Sequence, residues 1–245
     1  MVRAPSVLIR AILFAVDAGL LAAYYSVSGA LWSASTWWDV AFIAFVLIPA
    51  VFLLVWLVLP LWSSQPLALF LAGVAFVALA AVLQVVGWDA ASGFAKLGAV
   101  TAIGWWFLVF FERVAWVAAV AAIIPFVDAY SVWKGPTHDI VAHQKHLFTT
   151  LSFAFPVPGE HGSANLGMPD LLFFAVFLGA AARFRLRTGW TWICMTLSFG
   201  ATMALAVYFD VEGLPALPLL SIGFLLPNAD LLWREVAIRR RRPRT

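Results

Sequence analysis

The chain reads as an all-α polytopic membrane protein with about eight transmembrane helices. Two observations carry that reading. Its 245 residues are 64% hydrophobic and only 11% charged, with a mean hydropathy of +0.98. Soluble domains stay near half apolar and about a quarter charged. The apolar runs also recur at about 20 residues, the length a helix needs to cross ~30 Å of hydrocarbon. No room is left for a soluble domain between them.

In chain order the expected spans are 7–29, 39–61, 66–87, 93–111, 113–134, 168–187, 190–209 and 214–233. The first is long enough to stay as a span, and no small-residue cleavage pattern marks it as a signal peptide. Lys96 shortens the fourth, and Glu112-Arg113 leaves almost no loop before the fifth. Pro49, Pro60 and Pro125 fall in or near span ends, where neighbours can satisfy the freed carbonyls. The chain divides into an N-terminal four-span bundle (1–112), a second helical region (113–233) and a basic tail (234–245).

One connection is long, from Lys134 to Gly167. It holds His138, His143, His146 and His161, then an alternating stretch from Leu151 to Pro158 that reads as extended backbone near the membrane surface. His143 and His146 at i, i+3 have a spacing that suits Zn²⁺, but no acid is placed to complete a site, and solvated loop histidines are expected. The lone Cys194 lies in an apolar run, which excludes a disulfide framework and a CxxC metal site. Neither a metal nor another cofactor is expected.

Basic residues set the orientation. Arg3 and Arg10 flank the first span, Arg183, Arg185 and Arg187 end the sixth, and Arg234 with the run Arg239–Arg242 follows the eighth. Eight spans bring all three groups to one side, which the positive-inside rule makes cytoplasmic. A multi-pass cell-membrane protein with both termini cytoplasmic follows. The terminal arginines suit anionic lipid and topology, not nucleic acid.

Acids inside the spans carry the functional question, since an ionisable group at membrane depth costs at least ~2.5–3.5 kcal/mol and usually has a partner. Asp17 has Arg10 two turns away and Asp230 has Arg234 at i+4, so both read as interface pairs. Asp128 and Asp170 differ. Counting from Arg113, Asp128 lies about 22 Å along its span; counting back from Arg183, Asp170 lies about 20 Å along its own. Residues far apart in sequence thus come out at one depth. Asp170 also follows Gly167-Met168-Pro169, and the eighth span opens on Leu214-Pro215-Ala216-Leu217-Pro218 at similar depth. Singly, each has an ordinary reading: a helix start for Asp170, a carboxylate reaching the surface near Lys134 for Asp128, a turn for the prolines. Held together, two carboxyls share a proton, so one acts as base on water while the other polarises a carbonyl.

These motifs, in this order, resemble the GxGD-type intramembrane aspartyl proteases, the presenilin and signal-peptide-peptidase family, with a texture closest to its prokaryotic presenilin homologues. Asp128 stands where the family has its first catalytic aspartate and Asp170 where it has its second. Pro215-Ala216-Leu217 matches the family's PAL motif, and the likeness covers roughly 113–233. Val127 replaces the tyrosine before the first aspartate, with Tyr130 just after as a substitute; Pro169 replaces the second glycine; the family has nine spans.

The resemblance implies peptide-bond hydrolysis within transmembrane segments or signal-peptide remnants lying in the lipid bilayer. Gly167, Met168, Pro169, Pro215, Ala216, Leu217, Tyr130, Phe153 and Phe155 would then contact substrate. Leu151–Val157 is the stretch expected to offer an edge strand to it. Two other classes stay open: a transporter or channel relaying protons through the carboxylates, and an inactive homologue that binds membrane helices. Inverted repeats, frequent in transporters, are not evident in the sequence.

Overall fold

The computed structural model describes residues 7–134, 150–211 and 214–240. Its helices are α1 (Val7–Ala30), α2 (Thr36–Ser63), α3 (Pro66–Val86), α4 (Asp89–Phe110) and α5 (Val114–Lys134). A hairpin of β1 (Ser152–Pro156) and β2 (Ser163–Gly167) comes next. It leads into α6 (Met168–Arg183), α7 (Thr188–Tyr208), α8 (Leu217–Leu225) and α9 (Ala229–Arg240).

Six helices among the described residues are long and apolar enough to cross a membrane: α1 to α5 and α7. Two expected spans take other forms. Helix α6 has 16 residues, about 24 Å at 1.5 Å per residue, and ends where Arg185 adopts a positive φ of 55°. The last expected span is interrupted: α8 has 9 residues and passes through a 3₁₀ turn, Leu226–Asn228, into α9. Pro227 lies in that turn, where its missing N–H removes a helical hydrogen bond.

Local chemistry accounts for the other boundaries. Pro66 opens α3 in the first helical position, and Gly87 closes it at φ 81°, the left-handed conformation that glycine adopts without penalty. Pro49 lies inside α2, and the turn before it, Ile43–Leu47, widens to a π-helix in which Ile48 N–H bonds Ile43 O. Widening accommodates the ring, which would otherwise crowd the carbonyl four residues back. The bulge faces α7, where a Cβ on Gly200 would meet Ala44 Cβ at 2.9 Å.

Short as it is, α6 is the centre of the molecule. Leu171 and every residue from Phe174 to Ala181 are buried. Phe174 stacks on Phe52 of α2 with ring centroids 4.0 Å apart, and Phe177 on Phe224 of α8 at 4.8 Å. Trp105 of α4 donates from Nε1 to Ala175 O at 3.1 Å. Opposite the hairpin, Arg183 bonds Leu108 O, and buried Asn228 takes the Arg187 N–H while donating to Thr191 Oγ1 and Phe224 O. Helix α6 is therefore held at its middle and at its far end.

Two expected ion pairs are corrected here. Asp230 pairs with Arg187 in a bidentate contact at 2.7 and 2.8 Å, not with Arg234 one turn on. A planar fork meeting a carboxylate squarely is better satisfied than an i, i+4 reach. Arg10 donates to Trp56 O and Leu57 O, and Asp17 Oδ2 is buried with no hydrogen-bond partner.

Candidate active site

Asp170 is the third residue of α6. Gly167 caps the helix in an extended conformation (φ −62°, ψ 144°), and Pro169 occupies the first turn, where a missing N–H costs nothing. The carboxylate folds back over the cap and accepts the Gly167 N–H. A Cβ on Gly167 would lie 3.0 Å from Asp170 Oδ2, so the glycine makes room for the acid. Pro169, where the family has glycine, is exposed and leaves that arrangement undisturbed.

Asp128 sits on α5 one turn after Pro125 and is half-buried, as is Asp170. Its Oδ2 accepts the Leu217 N–H at 3.1 Å. That donor is the first N–H of α8, one of the groups a helix start leaves without an internal partner. Pro215, Ala216 and Leu217 are all buried. Helix α8 packs against both α5 and α6, so it closes the site from the side. Asp128 and Asp170 are near enough for their charges to act on each other, and neither forms an ion pair among the described residues.

The other expected contact residues divide. Gly167, Met168 and Pro169 form the helix start that carries Asp170, with Met168 packed against the core. Tyr130 is 66% exposed; two residues beyond Asp128 is about 200° around a helix, the opposite face. Phe153 and Phe155, 1% and 2% exposed, are core rather than contact residues. Phe153 packs edge-on against Phe94 and over Gly93. Their strand alternates, and the inward positions are the aromatic ones. His161 is exposed; His138, His143 and His146 lie outside the described residues.

The hairpin also corrects which edge is open. Its register pairs Phe153 with Leu166 and Phe155 with Ala164. Leu151 O accepts from Met168 N–H and Val157 N–H donates to Gly162 O, so the odd residues of β1 face β2. The even carbonyls point outward and are already occupied. Tyr25 donates to Ala154 O at 2.8 Å and Tyr24 to Pro156 O at 2.7 Å. The Leu151–Val157 edge is thus covered by α1. On β2 the outward main-chain groups belong to Ser163, Asn165 and Gly167; Asn165 Nδ2 donates to Ser163 O and the Asp170 carboxylate accepts the Gly167 N–H, and no described strand pairs with the others. This second strand escaped the sequence reading because Ser163-Ala164-Asn165-Leu166 alternates only weakly. The Pro158-Gly159 turn before it was the available signal.

No family model matches the chain, and no curated protein matches it.

Proposed function

We propose that the chain is an intramembrane aspartic endopeptidase of the GxGD type, cutting peptide bonds within single-span segments of other membrane proteins. The observation that supports this best is the meeting of Asp128, Asp170 and the Leu217 amide. Three short motifs from three helices converge on one partly open place, at the head of a helix whose middle is buried.

In this reading one carboxylate takes a proton from water while the other, protonated, donates to the scissile carbonyl. The water oxygen bonds the carbonyl carbon, giving a tetrahedral diol. The carbon–nitrogen bond then breaks as the amine takes a proton from the carboxyl that had accepted one, while the other carboxylate takes a proton back from a diol hydroxyl, leaving a carboxylic acid product. Both aspartates return to their starting states, so neither metal nor cofactor is required. A hydrogen-bonded Asp128 is held in orientation by Leu217, which lowers the reorganisation needed at each turnover.

A helical substrate hides its peptide bonds, so it must be unwound before cutting. The groups of β2 that stay open, the Ser163 N–H and both main-chain groups of Asn165, supply partners for an extended segment, and the strand ends at Gly167, three residues before Asp170. Strand addition of this kind tolerates varied side chains. From the charge map, the carboxyl terminus is cytoplasmic and the hairpin faces outward. Preferred substrates then have a cytoplasmic amino terminus, such as signal-peptide remnants or type II anchors.

The deciding experiment incubates purified full-length protein in detergent with a single-span peptide, with and without a transition-state-mimic inhibitor of aspartic proteases. Inhibitor-sensitive cleavage within the span is expected. Intact peptide, alongside ion flux into vesicles carrying the protein, would favour a carboxylate transporter instead.

A further inference from the structure

Beside the start of β2 lies a cleft of about 270 Å³ between the first turn of α2, the end of α7 and the hairpin. Thr36, Asp39, Glu160, Ser163, Met203 and Val207 are among its lining residues, and no lysine, arginine or histidine is among the described ones. Asp39 is only 7% exposed, yet among the described residues its carboxylate accepts no hydrogen bond and joins no ion pair. Tyr24, close enough to feel its charge, donates its hydroxyl to Pro156 O instead.

An acid near a helix start has an ordinary explanation in the helix dipole, but such acids stand in solvent. Asp39 instead is mostly buried, and its unpartnered carboxylate lines a narrow cleft, a setting that favours an incoming cation. The same cleft holds Ser163, where the open edge of β2 begins, and the strand ends at Gly167, three residues before Asp170. The exposed Trp37 and Trp38 beside Asp39 mark the level of a membrane interface.

We infer that this cleft receives the ammonium or guanidinium of a basic residue on the substrate, at the hairpin-side flank of its membrane segment. The inference rests on the protease reading and on strand addition to β2. The four residue steps from Ser163 to Gly167 span about 14 Å, which sets the basic residue about four to seven residues from the scissile bond. Segments inserted by the positive-inside rule carry most of their cations on the cytoplasmic flank. A cation on the other flank therefore marks a minority of segments, which is what a specificity site requires.

The test measures binding and cleavage of two single-span peptides that differ only in Lys or Gln at that flank. It uses the full-length protein in phosphatidylglycerol nanodiscs, with and without phosphatidylethanolamine. The Lys peptide is expected to bind about tenfold more tightly than its twin. Asp39→Asn should abolish the difference and leave the Gln peptide unaffected. Glu160→Gln, at an exposed rim position, should reduce it. Equal Kd values for the twins on the wild-type protein, or a preference that survives Asp39→Asn, would overturn the inference while leaving any observed cleavage intact. So would equal Kd values with phosphatidylethanolamine retained by the wild type and lost in Asp39→Asn, which would assign the cleft to a lipid headgroup. Charge-dependent binding without cleavage of either peptide would keep the cleft as a cation-reading site and remove the protease reading.

Discussion

The Leu217 amide donates to Asp128 Oδ2 at 3.1 Å, joining residues 89 apart in the chain. The bond serves both partners: it gives α8 a cap and fixes one oxygen of an acid inside a membrane protein. Architecture and proposed chemistry therefore share one contact, and substitutions at Asp128 can separate them.

Asp128→Asn keeps an oxygen that accepts the Leu217 N–H, so thermal stability should stay near wild type while cleavage falls by about 10²–10⁴-fold. Asp128→Leu leaves that amide unpaired and should cost about 1–3 kcal/mol of stability as well. Asp170→Asn should match the first variant in cleavage. A dyad works as a unit, so the double variant should be little worse than either single one. Near-wild-type turnover in any single variant would exclude the two-aspartate mechanism.

Gly167→Ala places a Cβ 3.0 Å from Asp170 Oδ2 and must move the carboxylate or the cap. Cleavage should fall by about tenfold or more, since misplacing a reacting group by ~1 Å can cost about 10² in rate. Pro169→Gly frees the exposed first-turn position and should keep or raise cleavage. Initial rates on one peptide, read beside melting temperatures, compare the two.

Asn165→Pro removes an outward N–H from β2 and spares the main-chain ladder to β1, while also losing the Asn165 side-chain bonds to Ser152 and Ser163, which Asn165→Ala loses alone. Cleavage should drop sharply in a protein that still melts cooperatively. Ala154→Pro does the same to the edge already covered by Tyr24 and Tyr25, and should leave cleavage near wild type. The reverse pattern would move substrate docking to β1.

Gly159 turns the hairpin at φ 71°, donates to Ser28 O, and would bring a Cβ within 2.5 Å of Ser33 N. Gly159→Ala should destabilise the protein by at least about 1–3 kcal/mol, read as a lower melting temperature. Tyr25→Phe, which loses one hydrogen bond to Ala154 O, should cost about 1 kcal/mol.

Reporter fusions at Thr245 and within the loop 137–146 test the orientation. A cytoplasmic carboxyl terminus with an external loop is expected from Arg183, Arg185, Arg187 and the arginine tail. The opposite result would invert the substrate preference with it.

Hydropathy made the membrane class and most of the helices legible, because burial in lipid depends on one segment at a time. Glycine, proline and aspartate at 167–170 likewise announced a helix start at the head of an apolar run, since capping is local. The two aspartates could be matched in depth from helix rise alone, given arginines to mark one face. Partner choice was another matter. That Asp230 takes Arg187, that Arg10 takes carbonyls of α2, and that Phe153 and Phe155 turn into the core all depend on which elements become neighbours. So does the open edge. Strand alternation at Leu151–Val157 showed an extended segment, but α1 covers that side through Tyr24 and Tyr25, leaving β2 exposed. A hydrogen bond needs two groups within about 3 Å, and only the packed helices around α6 bring such pairs together.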